Sequence, residues 1–78
     1  MNLILYSTDH CTLCEQALDL LLSMPELQGV ALAVVDVAGD DALEHRYGER
    51  LPVLSADGEV LDWPFDAADV RGFVARNR

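Results

Sequence analysis

The chain has 78 residues, 51% of them hydrophobic, with one Trp, two Tyr and two Phe. That is enough for one small domain spanning residues 1–78 with a core built mostly of Leu, Val and Ala, and too little for two. Fourteen carboxylates face five arginines and no lysine, for a formal net charge of −9; such a field repels nucleic acid and anionic membrane surfaces and argues against both as partners. No run approaches the ~18 apolar residues of a membrane span, and no basic segment precedes the first apolar run as in a secretory signal, so the cytoplasm is the expected location.

Residues 2–6, with the continuous apolar run Leu3-Ile4-Leu5-Tyr6, are predicted to be a strand buried on both faces. Ser7, Thr8, Asp9 and His10 make a polar turn, after which the spacing predicts a helix from about Cys11 to Met24. Its N-cap is open between Thr8 and Asp9, with Thr12 and Glu15 at capping-box spacing as a competing start. Cys14, Ala17, Leu18, Leu21 and Leu22 mark the buried stripe, and Pro25 ends the helix. Gly29 turns the chain into Val30–Val37, a β-branched-rich run expected to be a second buried strand, parallel to the first.

Asp40 or Asp41 opens a short helix through Leu43 and Tyr47, closed by Gly48 in the position favoured for a C′ glycine. Pro52–Ser55 reads as a third strand, Asp57-Gly58 as a hairpin turn, and Glu59–Asp62 as the returning fourth. Asp66 caps a last helix with Ala67, Val70, Phe73 and Val74 at helical spacing, and Arg76 and Arg78 complement its C-terminal dipole. The order is β-α-β-α-β-β-α, an α/β fold without linker or repeat.

The chemistry concentrates in Cys11-Thr12-Leu13-Cys14, where a strand hands over to a helix. Free backbone N–H groups and the positive helix end favour an anion there, and the thiolate is the form that attacks disulfides. Residues three apart share a helical face, so the two sulfurs can bond to each other. A bridge over so short a loop adds little stability, which points to redox use rather than to a staple. Protonated His10 would also favour the thiolate, whereas Asp9, Glu15 and the overall charge oppose it. The expected character is therefore that of a reducing dithiol.

The residues resemble the thioredoxin superfamily, and its glutaredoxin branch in particular. The likeness covers essentially the whole chain: the CxxC after the first strand, the element order, and Leu51-Pro52-Val53 opening the third strand. Together with Val35-Asp36-Val37 and Tyr47-Gly48, Cys-Thr-Leu-Cys looks most like a small glutaredoxin-like group without a well-assigned function. The resemblance implies a thioredoxin fold, a four-stranded mixed sheet with helices on both faces. It implies that Cys11 is the exposed nucleophile and Cys14 the resolving thiol. It also makes Pro52 a cis-proline, with the backbone of Leu51 pairing a bound peptide or glutathione, and places Thr12 and Leu13 against the substrate. The implied substrate is a disulfide-bearing protein or small thiol compound, with a reductase or glutathione as electron donor.

Several positions depart from glutaredoxins proper. Thr12 and Leu13 replace Pro and Tyr between the cysteines, Asp9 and His10 stand where a basic residue is usual, and Asp62-Trp63-Pro64-Phe65 replaces a glycine pair. These positions serve glutathione binding in the family. No bound cofactor is therefore expected, and the departures count against glutathione without excluding it.

Metal binding is the rival chemistry. His10, Cys11 and Cys14 supply three soft ligands where zinc wants four, and Glu15 in place of His after Cys14 excludes haem attachment, so no metal is expected. Arg46 and Arg50 are expected to pair with Glu44 and Glu49 on the surface, and Trp63 to serve as a lid on the core more readily than as an exposed platform. The sequence thus reads as a thiol-disulfide oxidoreductase. The alternative is a non-catalytic thioredoxin-fold module that binds a protein beside Pro52 and Trp63.

Overall fold

The computed structural model describes residues 1–78. Its elements are β1 (Asn2–Ser7), α1 (Thr12–Leu22), a short 3-10 turn (Pro25–Leu27), β2 (Ala31–Asp36), α2 (Asp41–Tyr47), β3 (Val53–Ala56), β4 (Glu59–Asp62) and α3 (Ala67–Arg76). The element order follows the sequence expectation, with the 3-10 turn added where Pro25 forbids continuation of the helix but suits the first turn of a new one.

The sheet order is β2-β1-β3-β4. β1 pairs parallel with β2, from Asn2↔Ala31 to Ser7↔Asp36, and antiparallel with β3, through Ile4↔Ser55 to Tyr6↔Val53. β3 and β4 form the hairpin, closed at Asp57-Gly58, where both residues have positive φ (51° and 87°) as a type I′ turn demands.

Alternation along the strands divides the core. Leu3, Leu5, Leu54 and Ala56 point to one face and pack with Ala17 and Leu21 of α1 and Val70, Phe73 and Val74 of α3. Burying each large side chain of this kind contributes about 1.5–3 kcal/mol. On the opposite face, a smaller cluster joins Val53 to Val37 and to Tyr47 of α2, with Tyr6, Leu43 and Leu51 against it. The rings of Tyr6 and Tyr47 stack with centroids 4.4 Å apart. Helices thus cover both faces, the second by one short helix.

Four expectations change. β1 is not fully buried on both faces, because α2 covers its second face only in part, leaving Ile4 and Tyr6 half-buried. β2 is an edge strand, mostly exposed, with Val34 at 50%, so its continuous apolar run does not mark a central position. Leu22 ends α1 at 71% exposure, outside the stripe that buries Cys14, Ala17 and Leu21, because the helical rotation turns it off the face those three share. Arg50 pairs with Asp62 across 2.8 Å rather than with Glu44 or Glu49, and both Arg46 and Arg50 lie over the Tyr47 ring at 5.4 and 5.6 Å. Trp63 is half-buried against the main core and meets Phe65 edge to face at 5.0 Å, as the lid reading required.

Candidate functional site

The site grows from the C-terminal end of β1. Asp9 and His10 form the turn after it, with His10 at φ 57°, and Cys11 stands in extended conformation immediately before α1. The N-cap of α1 is Cys11 itself, not Thr8, Asp9 or Thr12. Its Sγ accepts the Cys14 backbone N–H at 3.2 Å, and its carbonyl accepts the Glu15 N–H at 3.1 Å. Ser, Thr, Asp and Asn are the usual N-caps, so cysteine carried no capping signal in the sequence.

Cys11 and Cys14 are joined as a disulfide, with Cα atoms 5.2 Å apart. The two are not equivalent: Cys14 is 3% exposed and faces the core, whereas Cys11 is half-buried at the rim. Thr12 and Leu13, between them, are exposed, Leu13 at 46%. A cleft of about 140 Å³ lies beside the disulfide, with Ser7, Thr8, Asp9, His10 and Glu15 on its walls. Its apolar side comes from Leu5, its registered β2 partner Val34, and Leu18 of α1. Those three residues were not among the sequence candidates, because only the parallel register brings Val34 to this point.

Pro52 reaches the same end of the sheet from the other side of β1. The antiparallel pair Tyr6↔Val53 sets the residue before Val53 beside the residues that follow Tyr6. The Leu51–Pro52 bond is cis, as is Trp63–Pro64, and Pro52 is fully buried. Leu51 packs its side chain against Val37, Tyr47 and Val53, while its backbone N–H and C=O form no hydrogen bond within the chain. The cysteine turn and the Leu51–Pro52 corner thus lie at one end of the sheet, and Pro52 does not line the cleft. No three His, Cys, Asp or Glu side chains converge as a metal-binding group. No helix is long and apolar enough to cross a membrane.

The sequence matches the glutaredoxin-like domain family (DUF836) over residues 2–75. The chain belongs to that family. Among solved structures, this glutaredoxin-like domain is similar to the target protein XcR50 from X. campestris. Against its crystal structure the identity is 40% and the TM-score 0.84, covering 97% of this chain and 99% of that one. Against its solution structure the identity is again 40% and the TM-score 0.82, covering 100% and 97%. Thioredoxin 1 from Thermosipho africanus TCF52B superposes with a TM-score of 0.69 at 15% identity, over 97% of this chain and 92% of that one. The last likeness shows the thioredoxin fold. No curated protein matches the sequence.

Proposed function

We propose that this glutaredoxin-like domain is a thiol-disulfide oxidoreductase, acting in the cytoplasm as a reductant through the Cys11–Cys14 pair. The observation that carries this reading is the asymmetry of the pair. Cys11 sits at the rim, where the Cys14 N–H and the start of α1 are placed to stabilise negative charge on its sulfur. Cys14 is held behind it in the core. In the reduced protein the Cys11 thiolate attacks one sulfur of a substrate disulfide, and the other leaves as a thiolate that takes a proton from water. Cys14, its proton lost to solvent, then attacks Cys11 and releases the second substrate thiol. The protein ends as the disulfide, oxidised by two electrons, and the substrate as two thiols.

Thr12 and Leu13 offer exposed surface beside Cys11, and the unpaired N–H and C=O of Leu51, next to cis-Pro52, suit an extended substrate backbone. His10, in the turn before Cys11, is assigned the tuning of the thiolate. The physiological donor is assigned to a reductase or a thiol such as glutathione, for which this cleft offers no lysine or arginine.

The test is insulin reduction with dithiothreitol as donor, beside the potential of the pair. Activity that is lost in Cys11→Ser, with a mixed disulfide accumulating on Cys11 in Cys14→Ser, is the expected pattern. A two-electron transition between about −200 and −270 mV would place the pair among glutaredoxin- and thioredoxin-like reductants. A pair that never closes under any glutathione ratio refutes the dithiol mechanism and leaves the binding-module reading.

A further inference from the structure

The charges around the cleft bear on the kind of disulfide it takes. Asp9 and Glu15 stand on its walls, both exposed, and neither carboxylate meets an arginine or a hydrogen-bond donor. The parallel pair Ser7↔Asp36 brings a third carboxylate to the same end of the sheet. No lysine or arginine occurs before Arg46, so no cationic side chain of that kind in β1, α1 or β2 offsets these charges; His10 is the only other titratable side chain on the walls besides the cysteines. No arginine lines the cleft: Arg46 and Arg50 lie over Tyr47 in the α2-side cluster, and Arg50, which precedes Leu51, is already paired with Asp62. The apolar side made by Leu5, Leu18 and Val34 supplies contact without charge.

We infer that the cleft beside Cys11 selects disulfides with positive charge next to the sulfur, as in a polypeptide segment with lysine or arginine beside its cysteine, over anionic disulfides. This rests on the oxidoreductase reading. The rim carboxylates raise the local concentration of a cationic disulfide and oppose an anionic one. The exchange itself is unchanged: Cys11 takes one substrate sulfur, Cys14 displaces it, and two electrons pass from the protein to the substrate.

The experiment uses fully reduced, desalted protein in single turnover. Its partners are cystamine, with two ammonium groups, uncharged bis(2-hydroxyethyl) disulfide, and dithiodipropionate, with two carboxylates. Each rate is divided by that of dithiothreitol under the same conditions, which removes the intrinsic reactivity of the disulfide. At about 0.01 M ionic strength, where screening extends ~30 Å, the normalised cystamine rate is expected to exceed the dicarboxylate rate at least about tenfold. At about 1 M salt, with a screening length of ~3 Å, the preference should collapse.

The double variant Asp9→Asn/Glu15→Gln should lower the ratio at least about threefold, while the charge-matched Glu44→Gln/Glu59→Gln should change it by less than about twofold. Any change in thiolate fraction cancels in the ratio. A ratio near one at low salt, or an equal drop in both variants, overturns local charge selection while leaving the oxidoreductase reading standing. If none of the three oxidises the pair, both fail together.

Discussion

Gly48 and Cys11 each bound a helix in a way that their residue type alone would not suggest: Gly48 as a right-handed C-cap and not a left-handed C′ glycine, Cys11 as an N-cap. Gly48 closes α2 with right-handed angles (φ −55°, ψ −31°), a conformation open to any residue. Replacing glycine by alanine in such a conformation ordinarily stabilises by about 0.4–1 kcal/mol. Here a Cβ would stand 2.5 Å from the carbonyl oxygen of Glu44, a backbone atom that cannot swing aside. The expected outcome for Gly48→Ala is therefore a loss of about 1–3 kcal/mol, read from the urea midpoint of the variant. Cys11 serves as both redox sulfur and N-cap. Serine is a stronger cap, so reduced Cys11→Ser should keep the wild-type urea midpoint, and Cys11→Ala should lose about 1 kcal/mol. Activity lost in the serine variant then reflects chemistry and not unfolding.

Individual elements are fixed by their ends. α3 begins with a reciprocal box: the Asp66 carboxylate accepts the Asp69 N–H at 2.8 Å, and Asp69 accepts the Asp66 N–H at 3.0 Å. Asp66→Ala should cost about 0.5–2 kcal/mol, measured by thermal or urea unfolding. Since α3 brings Val70, Phe73 and Val74 to the main core, that loss should appear in the whole cooperative transition and not as local fraying. The 3-10 turn is tied to α3 by the Glu26–Arg71 pair at 2.8 Å. The Glu26 carboxyl is held below its ordinary value, first by a backbone hydrogen bond within its own turn and then by Arg71. A carboxyl with a folded value below its unfolded one contributes stability above the unfolded value and loses it as pH falls through the folded one. Glu26→Gln should therefore narrow its stability gap to wild type as the pH is lowered from about 5 through the acid range, with little change above, in a pH series of unfolding midpoints.

For the whole molecule, charge is the unbalanced quantity. The net charge is −9, and only two of the five arginines sit in salt bridges, both exposed. Exposed pairs of this kind contribute about 0–1 kcal/mol each, so self-repulsion in the folded state is largely uncompensated. Raising NaCl from about 0.01 to 1 M should raise Tm, by about 4–8 °C for each kcal/mol of repulsion relieved. A Tm that is flat or falls with NaCl would contradict this account. The same imbalance, concentrated before residue 46, puts Asp9 and Glu15 on the walls of the disulfide cleft with no arginine among its lining residues.

Much of this protein is determined locally. The CxxC at a strand-to-helix junction, the Asp57-Gly58 turn, the Asp40 and Asp66 caps and the element order are legible because each rests on residues within one turn of helix or one hairpin. What tertiary structure alone decided are properties of neighbours. Val30–Val37 is apolar enough for a central strand, yet topology puts β2 at the edge, and burial depends on what lies alongside and not on the run itself. Leu22 stands at i+4 from Leu18 but is turned off the face that Cys14, Ala17 and Leu21 bury. The cleft needs Leu5, Leu18 and Val34 from three elements, and Arg50 meets Asp62 only because β3 and β4 fold back on each other. Sequence spacing sets which residues share a face; only the packed chain sets what that face meets.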